Sequence, residues 1–209
     1  MIHKQPHIQS QTTIVTRQER ERRHGQRGRL VWLTGLSGAG KSTLAFALER
    51  ALFEQGKLCY VLDGDQIRQG LNADLGFSAA DRHENLRRIG EVARLLVDAG
   101  QIVIAAFVSP YRSDRAMVRQ MFADTDFDEI YIDCPLHVCE QRDPKGLYAK
   151  ARAGLLPGLT GIDDPYEAPD MPELVIRTEL LSVAEAVLLI TETLELSVEA
   201  LPTDSLTSS

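Results

Sequence analysis

The chain has 209 residues, 44% hydrophobic and 25% charged, and its 23 Lys and Arg against 30 Asp and Glu give a formal net charge of -7. That length suits one domain with a substantial core. The acidic balance speaks against nucleic acid or an anionic membrane surface as the main partner. No run reaches the ~18 apolar residues of a membrane span, and the N-terminal stretch lacks the apolar centre of a secretory signal, so the protein is expected in the cytoplasm. Cys59, Cys134 and Cys139 have no metal-type spacing and read as small buried thiols.

In chain order, residues 1–25 are polar and charged and are expected to form a flexible extension. Short apolar runs rich in branched residues then alternate with longer segments of helical period. The strand candidates are RLVWLTG from Arg29, KLCYVLDG from Lys57, QIVIAAFVS from Gln101, EIYIDC from Glu129 and ELVIRT from Glu173. The helix candidates run from Lys41 to Glu54, Ala80 to Ala99, Arg112 to Phe122, Leu136 to Arg142 and Ser182 to Leu194. In the second of these, Leu86, Ile89, Val92, Leu95 and Leu96 make one apolar face. Such alternation predicts an α/β fold with a mainly parallel five-stranded sheet covered on both sides, over residues 26–196. Residues 143–174, with several Pro and Gly between the fourth and fifth strands, are too long for an ordinary connection and suggest an active-site cover or a disordered insert. Residues 197–209 have the composition of a disordered tail.

The strongest chemical signal is GLSGAGKS, Gly35 to Ser42, which fits G-x-x-x-x-G-K-[ST] directly after a strand and before a helix. Gly35, Gly38 and Gly40 let the backbone of Leu36, Ser37, Ala39 and the following Thr43 wrap a polyphosphate; Lys41 bridges its terminal groups and the Ser42 hydroxyl ligates Mg²⁺. A nucleoside triphosphate is therefore expected. Asp63 and Asp65 follow at the carboxyl end of the second strand, where an open parallel sheet presents groups to its ligand. Either can hold the metal or accept a proton from an attacking hydroxyl; either can instead cap the helix that starts in DQIRQGL. Arg82, Asn85 and Arg88 recur at spacing three, which makes either an anion-binding wall or a solvated face with Asp81 and Glu84. Ser109 ends the third strand as a cap before Pro110 or as a hydroxyl in the crevice.

Taken together, GLSGAGKSTLA, LDGDQIR, GFSAADRHENLRRIGEVA, FVSPYR, CEQRDPKGLYAKARAG and LTGIDDPYEAP, in this order, resemble the adenylylsulfate kinase family from about Ile14 to Leu194. The resemblance implies a three-layer P-loop NTPase fold with a lid insert, and transfer of the γ-phosphate of ATP to the 3′-hydroxyl of adenosine 5′-phosphosulfate within sulfate activation. It assigns Asp63 as the acid near the 3′-hydroxyl and the metal, with Asp65 as helper. Arg68, Arg82 and Asn85 would contact the phosphosulfate, and Phe77 would stack on its adenine. Arg142, Lys145 and Lys150 of the lid segment would meet phosphate charge. Ser109 matches a serine sometimes described as a phosphoserine intermediate, although a ternary complex needs one in-line transfer where a serine carrier needs two; a hydrogen bond to substrate or metal-bound water is the simpler role. Leu159 stands where many members carry an aromatic that completes the adenine sandwich. Gln66 and His83 are further departures. A homodimer and an ATP sulfurylase partner are also implied by analogy, with no sulfurylase domain expected in this chain. The rival readings are another small-molecule P-loop kinase and a regulatory kinase-like module of a sulfurylase.

Overall fold

The structure, a computed structural model, describes residues 13–196. The expectations for residues 1–12 and 197–209 lie outside the described residues. Five strands, β1 (Arg29–Thr34), β2 (Cys59–Asp63), β3 (Ile102–Ala106), β4 (Phe127–Asp133) and β5 (Leu174–Arg177), form one sheet in the order β2-β3-β1-β4-β5. Every pairing is parallel, so the sheet expected to be mainly parallel is wholly so. The central strand β1 is paired on both sides, Trp32 lying opposite Ala105 and Glu129.

The period of two along β1 divides the core into two halves. Val31 and Leu33 face α2 (Lys41–Glu54), through Leu44, Leu48 and Leu52, and α8 (Val183–Thr193), through Ala186 and Ile190. Leu30 and Trp32 face α4 (Ala79–Asp98), through Leu86, Ile89, Ala93 and Val97, and α5 (Arg112–Arg119), through Val118. These are the three layers expected. Trp32 is fully buried and stacks on Phe107 and Phe127 at 5.5 and 6.2 Å. Each large side chain so buried stabilises the fold by roughly 1.5–3 kcal/mol.

Some expectations need correction. Leu95, expected on the apolar face of α4, is exposed, while Val92 and Leu96 pack at its border. Helix α5 stops at Arg119 rather than Phe122, because Met121 N and Phe122 N reach back only three residues, to Val118 O and Arg119 O, and tighten the last turn. Within the extension expected to be flexible, α1 (Arg17–His24) is a helix with a complete Thr16/Glu19 capping box and a left-handed Gly25 at its end. It buries no residue; Arg17 pairs with Asp126 at 2.5 Å and Arg20 with Asp98 at 2.8 Å. Two short helices also escape the periodicity: α3 (Gly64–Gln69), and α7 (Leu147–Arg152) within the segment expected as a lid, which follows α6 (Leu136–Arg142). No helix among the described residues is long and apolar enough to cross a membrane.

Candidate active site

The carboxyl ends of the parallel strands open on a cleft of about 770 Å³. Its floor is the loop between β1 and α2. Gly35, at φ 153°, lies so close to β4 that a Cβ would come within 2.5 Å of Ile132 O; Gly38, at φ 74°, would bring one to 3.0 Å of Cys139 O. Only glycine fits both the turn and the contact. The loop is braced from outside by Tyr148 Oη donating to Ser37 O (2.9 Å) and Thr178 Oγ1 donating to Ala39 O (2.8 Å). Arg142 of α6 donates to Thr178 Oγ1 at 3.1 Å, which sets its guanidinium at the rim of the loop.

Lys41 folds back on the loop, Nζ donating to Gly35 O (2.9 Å) and Leu36 O (2.7 Å). Burial, reinforced by the positive charge of Lys145, pushes its ammonium down to about 8. Ser42 Oγ donates to Asp63 Oδ2 at 2.7 Å. Asp63 Oδ1 accepts from Asp65 N at 3.0 Å, so this buried carboxylate caps α3 with one oxygen and faces the phosphate loop with the other. The capping alternative for Asp63 is thus realised on Oδ1, while Oδ2 meets the Ser42 hydroxyl at the cleft wall. Asp65 is exposed and reaches instead to the Lys145 ammonium, an ion pair between the strand end and the loop before α7. No cluster of three or more His, Cys, Asp or Glu among the described residues would hold a metal alone. Ser42 and Asp63 form an oxygen-only pair on the cleft wall, a donor set that suits Mg²⁺ shared with phosphate oxygens and water.

The opposite wall holds Arg68, Phe77, Arg82, Asn85 and Leu159. The Arg68 guanidinium lies over the Phe77 ring at 4.3 Å, and Phe77 is 70% exposed, so its other face is open. Burial, then the nearby Arg82 charge, lowers the pKa of Arg68 from its usual value, a crowding of positive charge that favours an anion. Arg82 donates to Thr160 Oγ1 (2.8 Å), Gly158 O (2.8 Å) and Asp164 Oδ2 (3.2 Å), tying α4 to the long connection before β5. That connection returns to the sheet through Arg115, which donates to Glu167 O (2.6 Å), and through Tyr166, whose hydroxyl meets Thr34 Oγ1 at 2.9 Å.

Three residues singled out in the sequence have side chains engaged elsewhere than in the cleft. Lys150 is exposed on α7 and does not line the cleft, because the buried face of that short helix belongs to Tyr148 and Ala151. Arg88 is taken by Asp74 (2.7 Å) and Glu84 (2.9 Å), the solvated-face alternative. Ser109 borders the cleft but its hydroxyl points inward: at φ 39° its Oγ accepts from Trp32 Nε1 (3.1 Å) and donates to Thr34 Oγ1 (2.9 Å), and the residue is 3% exposed. The expected catalytic or substrate-binding hydroxyl is therefore engaged in the core. The sequence reading overlooked Thr34, Tyr148, Tyr166 and Thr178, whose partners lie 74 to 139 residues away; only their polarity inside apolar or Pro-rich stretches hinted at a role.

A family model described as adenylylsulphate kinase matches residues 27–177, more than two thirds of the chain. An adenylyl-sulfate kinase of Geotalea uraniireducens is 64% identical over 79% of this chain and 79% of its own length. A probable adenylyl-sulfate kinase of Halalkalibacterium halodurans is 58% identical over 88% of this chain and 91% of its own. The solved structure of the Mycobacterium tuberculosis APS kinase CysC in complex with AMPPNP and APS is 52% identical, covers 81% of this chain and 99% of that one, and superposes with a TM-score of 0.78. The two walls of the cleft and these likenesses agree: the chain belongs to the adenylylsulphate kinase family of ATP-dependent phosphotransferases.

Proposed function

We propose that this chain transfers the γ-phosphoryl group of ATP to the 3′-hydroxyl of adenosine 5′-phosphosulfate, releasing ADP and 3′-phosphoadenylylsulfate. The observation that carries the reading is one cleft with two chemically distinct walls: the phosphate loop with Lys41, Ser42 and Asp63, and the cationic, aromatic wall of Arg68, Phe77, Arg82 and Asn85. The M. tuberculosis relative, whose complex holds an ATP analogue and APS together, supports a ternary arrangement.

On ATP arrival Lys41 exchanges its two carbonyl acceptors for phosphate oxygens, and its ammonium regains the charge that burial disfavours. Ser42 and Asp63 would hold Mg²⁺, which would neutralise charge on the transferring phosphoryl group. Arg68, Arg82 and the Asn85 amide bind the phosphosulfate anion, Phe77 stacks on its adenine, and Leu159 covers the ring from the lid side. This leaves the 3′-hydroxyl facing Asp63, which orients it and takes its proton as the new P–O bond forms and the β,γ-bridging bond breaks. Lys145 and Arg142 add positive charge from the lid side, and closure of residues 143–174 excludes the water that would otherwise hydrolyse ATP. One in-line transfer suffices, so Ser109 carries no phosphate.

ADP release coupled to adenylylsulfate, AMP, gluconate or shikimate tests the assignment. Turnover is expected with adenylylsulfate alone, and preference for one of the other acceptors would overturn it.

A further inference from the structure

Behind the substrate wall lies a fully buried amide, Asn72, in the turn after α3. Its backbone is fixed by Asn72 N donating to Ile67 O (3.0 Å) and Leu75 N donating to Asn72 O (3.2 Å). Its Nδ2 donates to Asn85 Oδ1 at 2.9 Å and lies 3.4 Å from the backbone carbonyl of Asn85. Its own Oδ1 has no partner and no access to solvent. A buried acceptor left unpaired is costly, and few native groups are.

The arrangement makes sense as a key. Two facing amides can bond in two ways, related by turning both over. In one, Asn72 donates to Asn85 and the Asn85 Nδ2 is left for the cleft. In the other, Asn72 accepts and Asn85 offers its oxygen. The second alternative aims Asn72 Oδ1 at the Asn85 backbone carbonyl, acceptor against acceptor; that carbonyl cannot turn over, so it selects the first. No protein acceptor among the described residues takes Asn85 Nδ2, and Asn85 lines the cleft. Resting on the substrate assignment above, we propose that Asn72 is a positioning residue that locks the Asn85 side chain with its N–H₂ toward the anionic phosphosulfate.

The test is a double-mutant cycle read in separate KM values for adenylylsulfate and ATP. Asn72→Asp keeps the shape and, measured at a pH high enough to ionise the buried carboxyl, can only accept, so Asn85 must turn over and point its oxygen at an anion. KM for adenylylsulfate should rise about tenfold or more, the scale of a reversed charge-assisted hydrogen bond, with KM for ATP within about twofold. In an Asn85→Ala background the same change should add nothing to KM for adenylylsulfate. Asn72→Ala, which avoids a buried carboxylate, should give a smaller rise that is likewise absent in the Asn85→Ala background. Equal movement of both KM values, or an Asn72 effect that persists without the Asn85 amide, would reduce Asn72 to a packing residue and overturn the proposal. An Asn85→Ala enzyme with unchanged KM for adenylylsulfate would remove the substrate role of Asn85 itself, and the key with it, leaving the remaining substrate wall intact.

Discussion

Raising the pH from 7 to 9.5 should loosen nucleotide binding through a single side chain, Lys41. With its ammonium pushed down to about 8 in the free protein, Lys41 is charged in most molecules at pH 7 but in roughly 3% at pH 9.5, and apparent affinity follows the competent fraction, a fall of about thirtyfold. Bound phosphate restores an ordinary lysine pKa, so each nucleotide bound takes up about a tenth of a proton at pH 7, rising to nearly one at pH 9.5. The terminal phosphate of the nucleotide ionises at about pH 6 and adds no slope. Titration calorimetry with a non-hydrolysable ATP analogue and Mg²⁺, in buffers of different ionisation enthalpy, reads both the affinity and the proton. The free protein carries the mirror image. Folding lowers the lysine from 10.5 to about 8, so between those values the unfolded chain holds more protons and stability rises with pH. Lys41→Met should remove both slopes and stabilise the free protein at pH 7 by roughly 1 to 3 kcal/mol, the burial penalty less the bonds to Gly35 O and Leu36 O. A dissociation constant flat from pH 7 to 9.5, or a Lys41→Met protein that keeps the wild-type slope, would rule out Lys41 as the titrating group.

Asp63→Asn can accept from only one of Ser42 Oγ and Asp65 N and loses the proton acceptor, so kcat in the coupled ADP assay should fall about 10²- to 10⁴-fold; a loss under tenfold would leave Asp63 without its role. Ser109→Ala strips the acceptor from the buried Trp32 indole, so the melting midpoint should drop by several degrees, for about 1 to 3 kcal/mol, while kcat stays within about threefold and no ³²P from labelled ATP is retained on the wild-type serine. Leu159→Phe adds a second aromatic surface for adenine, and since base stacking contributes roughly 1 to 3 kcal/mol, steady-state kinetics should show a lower KM for adenylylsulfate and inhibition by it at lower concentration. Unchanged constants would rule out Leu159 as a neighbour of the base.

The readable parts of the chain are those where chemistry and periodicity coincide. Helix α2 begins at Lys41 in sequence and structure alike, because the glycines that wrap phosphate also stop the strand and free the helix start. Of the cleft walls, Asp63 was marked by its place at a strand end, whereas Arg82 and Asn85 stayed open between an anion wall and a solvated face, and Arg68, in the last turn of α3, entered only with the family resemblance. What escaped has no period. Helix α1 has no apolar face and is held by ion pairs to Asp126 and Asp98, partners 109 and 78 residues away. Helix α7 hides among Gly and Pro, and is started by Asp143 carboxylate oxygens accepting from Tyr148 N (3.1 Å) and Ala149 N (3.0 Å). The inward turn of Ser109 depends on a left-handed backbone and on the Trp32 indole, neither of which FVSPYR announces. Asn72 looks like any turn asparagine until α4 brings Asn85 against it.

The connection before β5 is fastened unevenly, and this bears on where the chain can change length in evolution. From Tyr166 onward it is stapled: Glu167 N donates to Pro110 O, Arg112 Nε to Ala168 O, and the Glu173 carboxylate accepts from Arg119 and from Glu129 N. One residue added or lost there would carry Glu173 out of reach and shift the β4–β5 register. Around Gly154 and Leu155 there is no such tie; Gly154 has open space where a side chain would stand, and Leu155 is 76% exposed. Insertions and deletions among relatives should therefore collect at this turn, where added loop costs little entropy, and the reach of the cover over its substrates can be tuned without disturbing the sheet that holds them.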